Sequence, residues 1–172
     1  MRCRYWFSSA MFALLVMGAY GETCNAAKKA IYTSPDRSLV AVIQPSRKPQ
    51  VCESTVELRT AAGKVIARRS YQYADGEHGY GVEKAQWTPD SKYFVFSLGS
   101  SGGHQPWHSP VEYFNRHRRR FLSLDDALNN AIMNPEFAVT APDKVTVDLY
   151  FGNKTLTVQL SSLHATKSSQ AN

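Results

Sequence analysis

The sequence predicts a mainly β protein, a small antiparallel fold with one short α-helix near residues 124–133. Three observations favour this class. Short runs of β-branched and aromatic residues recur along the chain and are separated by Gly, Pro and Asn, as in strands joined by tight turns. One run, Lys92–Leu98, is apolar at consecutive positions and predicts a central strand that is covered on both faces. A helical spacing of apolar residues stands out in only one place, residues 124–132.

The predicted strands follow one another as antiparallel neighbours. Ser38–Gln44 is β-branched and apolar, and Pro45 ends it because proline cannot donate to a strand ladder. Three later hairpins are indicated by strand-like segments on both sides of a turn; their strands are residues 54–59 with 64–68, 111–115 with 121–124, and 145–149 with 156–160. The glycine-containing segment Ala74–Gly81 predicts a loop.

A single helix is expected after the second of these hairpins. Ser123 and Asp126 match the S-x-x-D capping pattern, which satisfies free backbone N–H groups at a helix start. Apolar residues then recur at positions 124, 127, 128, 131 and 132, on one helical face. Pro135 ends the segment, because the residue before a proline avoids helical geometry.

The N-terminal segment has the pattern of a secretory signal peptide. Arg2 and Arg4 precede a short apolar core, Met11–Met17, which is far below the ~20 residues that span a bilayer. Small residues allow cleavage after Gly21, and cleavage after Ala26 is the alternative. The protein is therefore expected in the periplasm or outside the cell.

Residues 22–164 are predicted to form a single β-rich domain, after a signal peptide at 1–21 and before a polar, flexible tail at 165–172. Loss of the signal lowers the formal net charge from +6 to +4, which does not indicate a nucleic-acid binder. No segment of the mature chain has the length and apolarity of a membrane span. The basic run RHRRR at 116–120 is interpreted as a solvated hairpin turn, and docking on a phosphate-rich or acidic surface is the alternative.

Two turns share a pattern of residues. Residues 33–42 (TSPDRSLVAV) and 87–96 (WTPDSKYFVF) each place a Pro-Asp pair just before an apolar strand, and residues 141–145 (APDKV) repeat the pair. Proline presets φ for a turn, and the Asp side chain accepts hydrogen bonds from the N–H groups ahead of it.

This pattern resembles the repeat of TolB-type β-propellers, in which a W-S-P-D-G-K-like turn precedes a strand. The glycine of that repeat is replaced here by Arg37 and Ser91. The resemblance implies blade-like sheets, but the chain is too short to close a propeller of about four to eight blades. A compact fold built from blade-like sheets is therefore expected, and an oligomer that completes a ring, or a turn of this type that arose independently, are the alternatives.

The loop after the predicted central strand is the first candidate for a functional site. Interfaces favour Trp and Tyr, and a loop rooted on a rigid strand presents side chains well. We therefore predict a non-catalytic binding surface for a protein, a glycan or an envelope component, with no cofactor. The residues expected to contact the partner are Trp107, His104, His108, Tyr80 and Tyr113, in loops around 71–80 and 99–110.

A small secreted hydrolase, or a metal-dependent one, is the alternative function. The GSSGG segment that contains Ser101 matches the G-x-S-x-G nucleophile motif, with His104 as the base, but that motif requires a helix directly after the serine. The glycines and Pro106 that follow will not begin a helix. His104 and His108, with His78 or Glu77 as a third ligand, are the candidate metal residues, although Pro106 opposes the helix that would place two imidazoles on one face.

Two cysteines remain after cleavage at Gly21. Cys24 and Cys52 form an even pair in an exported chain, where disulfides persist, and we predict that they are bonded. Two free thiols are the alternative, and cleavage after Ala26 would remove Cys24.

The Cys24–Cys52 disulfide is tested by reduction of the mature protein. In the chain-entropy model a loop of this length contributes about 3–4 kcal/mol to the free energy of unfolding, so reduction should lower the melting temperature clearly. Alkylation under denaturing, non-reducing conditions followed by mass measurement should show no label. Two labelled thiols would contradict the pairing.

Overall fold

The computed structural model describes residues 29–48, 50–102 and 107–164. These residues form eleven strands, one short helix and a 3₁₀ turn. The strands are β1 Ala30–Thr33, β2 Leu39–Pro45, β3 Ser54–Thr60, β4 Val65–Ser70, β5 Tyr80–Trp87, β6 Tyr93–Ser100, β7 Val111–Asn115, β8 Arg120–Ser123, β9 Ala138–Thr140, β10 Lys144–Leu149 and β11 Lys154–Gln159; the helix α1 is Leu124–Leu128 and the 3₁₀ turn is Ser162–His164. The mainly β class with one short helix is thereby confirmed.

Three antiparallel sheets are formed, and each is built from one contiguous stretch of chain. The first sheet has the strand order β1-β2-β3-β4, the second β5-β6-β7-β8, and the third β11-β10-β9. Neighbouring strands along the chain are neighbours in the sheet, so short turns connect most of them. The predicted hairpins 54–59 with 64–68, 111–115 with 121–124, and 145–149 with 156–160 correspond to the pairs β3–β4, β7–β8 and β10–β11.

The second sheet is the middle layer, because its strand β6 is apolar on both faces. Phe94 and Phe96 lie on one face and are fully buried against the first sheet, where Val56 and Leu58 are their buried neighbours. Burying a phenylalanine side chain contributes roughly 1.5–3 kcal/mol. Trp87 strengthens this contact, since its ring packs on Phe94 and its indole N–H donates to the carbonyl oxygen of Tyr32 at 2.9 Å.

The opposite face of β6 forms a second core with the third sheet and α1. Tyr93 and Val95 pack there with Val145 and Val147 of β10 and with Leu124 of α1. All of these side chains are at most 5 % exposed. The prediction of a central strand covered on both faces is therefore confirmed.

The Pro-Asp turns that begin β2 and β6 are fixed by the same set of hydrogen bonds. In the turn between β5 and β6, Asp90 Oδ1 accepts from the Thr88 hydroxyl at 2.7 Å and from the Lys92 N–H at 3.1 Å. The Thr88 oxygen in turn accepts from the Tyr93 N–H at 3.1 Å, which starts the strand. The corresponding residues of the turn between β1 and β2 are Ser34, Asp36, Ser38 and Leu39.

Arg37 and Ser91 follow the aspartates of these turns and have left-handed backbones, with φ of 58° and 61°. Glycine adopts this conformation without steric cost, and other residues rarely do. Both turns close at the same end of the molecule, because the Asp36 N–H donates to Ser91 Oγ at 3.0 Å. The Asp90 N–H donates to the carbonyl oxygen of Pro142, in the turn between β9 and β10, at 3.4 Å. We call this the turn end.

We call the opposite end the loop end. It contains the β2–β3, β4–β5, β6–β7 and β10–β11 connections, which meet through hydrogen bonds and ring contacts. The described residues of both loops predicted to form a binding surface, around 71–80 and 99–110, lie at this end. The Pro-Asp turns and the two candidate loops therefore lie at opposite ends of the strands.

Strands β1, β5 and β9 have no counterpart in the sequence prediction, and the predicted bounds of the helix and of the 74–81 loop differ from those observed. The helix α1 starts at its predicted cap, since the Asp126 N–H donates to Ser123 Oγ at 3.0 Å, but it ends at Leu128 rather than near Pro135. Asn129 is left-handed, with φ of 50°, and turns the chain away from the helix. The segment assigned to a loop up to Gly81 instead enters strand β5, whose alternation is interrupted by a bulge between Val82 and Lys84.

Several predictions concern residues outside those that the structure describes. They include the signal peptide at 1–21, the tail at 165–172, His104, and Cys24 as the partner of Cys52. They stay predictions. Within residues 29–48, 50–102 and 107–164, no helix has the length and apolarity needed to cross a membrane.

The Asp90 turn is tested by Asp90→Ala, which should lower the free energy of unfolding by about 1–2 kcal/mol because two hydrogen bonds at the start of β6 are lost. Burial raises the pKa of the Asp90 carboxyl, but hydrogen bonds from Thr88 and Lys92 outweigh it and the pKa lies below its usual value of 3.8. The stabilisation should therefore shrink as the pH falls from 3.8 toward that lower value.

Denaturant unfolding at several pH values measures this difference, and Glu77→Ala is the matched control. Glu77 is exposed in the connection between β4 and β5, so its replacement should change stability by no more than about 0.5 kcal/mol. Equal effects of the two substitutions would contradict the role of the turn.

Candidate functional site

Glu53 holds together the two loops that the sequence singled out. It precedes β3 at the loop end, and its side chain is buried with only 1 % of the residue exposed. One carboxylate oxygen accepts from the Gly79 N–H at 2.9 Å and from the Ser101 hydroxyl at 3.1 Å, and the other accepts from the Tyr73 N–H at 2.9 Å. A buried carboxylate requires such donors, and here they come from both loops.

The chain at Gly79 approaches Glu53 too closely for any side chain. A β-carbon at position 79 would lie 2.3 Å from the Glu53 carboxyl group and 2.3 Å from the carbonyl oxygen of Tyr71. Next to it, the carbonyl oxygen of Gly79 accepts from the Ser101 N–H at 3.0 Å. The first part of the 99–110 loop is thus fastened to the 71–80 loop through backbone and side chain together.

Asp125 fixes the other part of the same loop. Its carboxylate accepts from the His108 ring at 2.9 Å, from the Val111 N–H at 2.9 Å and from the Ile132 N–H at 3.0 Å. The Ser109 N–H donates to the carbonyl oxygen of Ile132 at 2.9 Å. The segment just before β7 is therefore positioned by the start of α1 and by the chain that follows it.

Trp107 lies between these anchored parts and belongs to an exposed group of aromatic rings. Its ring is 4.7 Å from that of Tyr150, which is in turn 5.2 Å from the ring of Phe151, and Trp107 also stacks on His108 at 5.5 Å. Trp107 is 45 % exposed, Tyr150 43 % and Phe151 65 %. We call Trp107, Tyr150 and Phe151 the aromatic cluster.

The turn between β10 and β11 that carries Tyr150 and Phe151 is itself held in place. The Asn130 side chain donates to the carbonyl oxygen of Phe151 at 3.1 Å and accepts from its N–H at 3.1 Å. The Tyr150 N–H donates to the carbonyl oxygen of Ala131 at 2.8 Å. The aromatic cluster thus joins the 99–110 loop to the third sheet.

Two predicted contact residues have other surroundings. Tyr113 is 2 % exposed and its ring packs edge to face on Tyr93, so it is a core residue and not part of the binding surface. All five residues of β7 are buried, which places both faces of this strand inside the molecule. Tyr80 is half-buried, begins β5 and pairs with Ser100 at the loop end.

Of the two catalytic residues in the hydrolase alternative, Ser101 and His104, the structure describes only Ser101. The Ser101 hydroxyl donates to the Glu53 carboxylate at 3.1 Å. His104, the base of that alternative, lies outside the described residues. Ser101 and Gly102 form a turn and are not helical, whereas the G-x-S-x-G motif needs a helix directly after the serine.

The histidines of the metal alternative face different carboxylates. His78 Nδ1 is 2.7 Å from Asp75, within its own loop, whereas His108 Nε2 is 2.9 Å from Asp125. Among the residues that the structure describes, no three His, Cys, Asp or Glu side chains are placed to hold a metal ion.

Four residues of this site were not singled out from the sequence. Glu53 and Asp125 occupy ordinary polar positions, and no spacing predicts that they become loop anchors. Tyr150 and Phe151 directly precede Gly152-Asn153 in the connection between the predicted strands 145–149 and 156–160, and two adjacent aromatic residues at a hairpin tip are the signal that could have identified them.

Comparison with known proteins adds no relative from which function can be carried over. No protein-family model matches the chain, and no curated protein matches its sequence. Function is therefore inferred from the residues of this surface and from the turns that resemble TolB-type repeats.

The anchoring role of Glu53 is tested by Glu53→Ala, which should lower the free energy of unfolding by about 2–3 kcal/mol because buried donors lose a charged acceptor. Hydrogen exchange of residues 71–80 should accelerate in the same variant. Glu77→Ala is the matched control, since Glu77 is an exposed residue of the same loop and its loss should be nearly neutral. Unchanged exchange in Glu53→Ala would contradict the anchor.

Proposed function

We propose that this protein is an exported, non-catalytic binding protein that contacts a partner through the aromatic cluster of Trp107, Tyr150 and Phe151. The observation that carries the proposal is the exposure of these three neighbouring rings on one surface. Single exposed apolar residues are ordinary, whereas contiguous exposed aromatic residues are typical of interaction sites.

The cluster is suited to binding because it is already ordered. Asp125 fixes the chain on one side of Trp107, and Asn130 fixes the turn of Tyr150 and Phe151. A preorganised surface loses little conformational entropy when a partner binds, and aromatic side chains have few rotatable bonds to immobilise. The rigid second and third sheets behind it provide the support that a presented loop requires.

A partner at the cell envelope or outside the cell agrees with the predicted signal peptide. The partner is a protein, a glycan or another envelope component, and the flat faces of the three rings suit any of these classes. The resemblance to TolB-type repeats supports an architecture of stacked blade-like sheets, because each Pro-Asp turn joins the first and second strands of its own sheet. This architecture is a scaffold for loops and does not itself determine the partner.

A hydrolytic function is supported less well than binding. The Ser101 hydroxyl is engaged with the buried Glu53 carboxylate, which also accepts two backbone N–H groups and therefore acts as a structural anchor. A nucleophilic serine requires a base that is in turn oriented by a third group. Loss of a measured hydrolytic activity in Ser101→Ala, with binding intact, would favour the hydrolase instead.

Binding is tested with the mature protein immobilised and exposed to envelope extract, with a glycan array as a second readout. Trp107→Ala combined with Phe151→Ala should weaken capture of the bound component at least about tenfold, since aromatic hot-spot residues each contribute about 2 kcal/mol or more. The melting temperature should change little, because both side chains are largely exposed.

Ile31→Ala is the matched control for loss of exposed apolar surface. Ile31 is 60 % exposed on β1 of the first sheet, away from the aromatic cluster, and its replacement should leave binding unchanged. Equal binding by the wild type and the double variant would contradict the proposal. A large fall in melting temperature for Trp107→Ala alone would instead assign this residue to the core.

A further inference from the structure

The third sheet has an open edge where each of the other two sheets has a fourth strand. In every sheet a Pro-Asp turn joins the first two strands, and in the third sheet this turn contains Pro142 and Asp143, between β9 and β10. The first and second sheets continue with a third and a fourth strand, whereas the third sheet ends at β11. Counted from these turns, β11 corresponds to β3 and β7, and no described strand of the third sheet corresponds to β4 and β8.

The backbone of β10 shows which of its residues face β11. On the side of β10 away from β11, the Tyr150 N–H donates to the carbonyl oxygen of Ala131 at 2.8 Å. On the same side, the Met133 N–H donates to the carbonyl oxygen of Asp148 at 3.0 Å. Successive residues of a strand direct their backbone groups to opposite sides. The even-numbered residues of β10 therefore face β9, and the odd-numbered residues face β11.

This alternation determines which backbone groups of β11 are directed to its open edge. Val147 faces β11 and pairs with Leu156, so Leu156 exchanges its backbone hydrogen bonds with β10. The N–H and C=O groups of Thr155 and Thr157 consequently point away from β10. No described strand pairs with β11 on that side. The open edge thus offers two donors and two acceptors in the spacing of a β-ladder.

The other edge strands have features that oppose pairing with another chain. Strands β1 and β8 have four residues each, and β9 has three. Strand β4 carries arginines at positions 68 and 69, and β5 contains the bulge between Val82 and Lys84. Short strands, charged side chains and bulges are the usual protection of a sheet edge. In contrast, β11 has six residues, pairs with β10 without a shift in register and carries one charge, on Lys154.

The side chains of β11 define the segment that fits this edge. Leu156 and Val158 are half-buried on the face that packs on the second core, so an added strand would extend an apolar surface. Thr155 and Thr157 are exposed on the opposite face. Lys154 lies on the apolar face at the end of the strand and makes no ion pair within the described residues. A matching strand therefore has apolar residues and a carboxylate on one face, and polar residues on the other.

We propose that β11 binds an extended segment of a partner protein, which adds to the third sheet as its fourth strand. Backbone hydrogen bonds to Thr155 and Thr157 provide the affinity, and the alternating side chains provide the selectivity. The segment places apolar side chains opposite Leu156 and Val158 and a carboxylate opposite Lys154. This surface consists of backbone at a sheet edge, so it does not depend on the role of the aromatic cluster.

The test is the binding of a synthetic peptide to the mature protein, followed by fluorescence anisotropy. The peptide alternates threonine with valine, and glutamate replaces the last valine. A copy with the same side chains but an N-methylated backbone cannot donate ladder hydrogen bonds, so its affinity should be at least about tenfold lower. In isotope-labelled protein, the NMR shift changes caused by the unmodified peptide should be centred on residues 154–159.

Thr157→Pro should weaken binding of the unmodified peptide at least about tenfold. The melting temperature should change little, because this proline removes an N–H that points away from β10 and proline is tolerated on such edges. Thr33→Pro is the matched control, since it makes the same substitution on the edge strand β1 of the first sheet and should leave peptide binding unchanged. Lys154→Gln should weaken binding of the glutamate peptide but not of a peptide with glutamine at that position.

Several results would overturn the assignment. Equal binding of the unmodified and N-methylated peptides would do so even if Thr157→Pro failed to fold. An unaltered affinity in folded Thr157→Pro, or an equal loss in Thr33→Pro, would also contradict it. A wild-type dimer in sedimentation that Thr157→Pro dissociates would assign the edge to a second copy of the chain. Peptide binding seen only after removal of residues 165–172 would assign it to the chain's own tail.

Discussion

The burial of both faces of β6 is the constraint on which the rest of the structure depends. The side chains of Phe94 and Phe96 are buried on one face, and those of Tyr93 and Val95 on the other. A single neighbouring sheet could bury only one of these faces. The first sheet and the third sheet supply the two covers, and the two hydrophobic cores meet only across the second sheet. This layering also gives the molecule its two ends, because strands that are packed face to face bring their turns together at one edge and their loops at the other.

Two carboxylates, one buried and one half-buried, attach the loops of the proposed binding surface to the sheets. Glu53 and Asp125 lie in segments next to different sheets, yet each accepts hydrogen bonds from the chain near β6 or β7. The 99–110 loop is thereby fastened at both of its described parts, and Trp107 projects between them.

The features that could be predicted from the sequence are those determined by neighbouring residues. Asp90 fixes its turn through residues within three positions, and Ser123 caps α1 through Asp126, so both follow from local patterns. Strand β5 was missed because the bulge near Glu83 interrupts its alternation, and Tyr113 was placed at the surface although its strand is buried on both faces. The anchors of the binding surface depend on contacts between residues far apart in the chain, as between Glu53 and Ser101. Such contacts produce no regular residue spacing from which they could be predicted.

Because each sheet is a contiguous stretch of chain, the order in which the layers can form follows the direction of synthesis. Residues 30–70 contain every strand of the first sheet, and local pairing of this kind is fast. The inner face of this sheet is buried only after Phe94, Phe96 and Phe114 have been synthesised, more than twenty residues later. An incomplete chain would therefore expose Leu58 and its apolar neighbours to other molecules. A chain that emerges gradually, as in export, would need protection from association until β6 has followed.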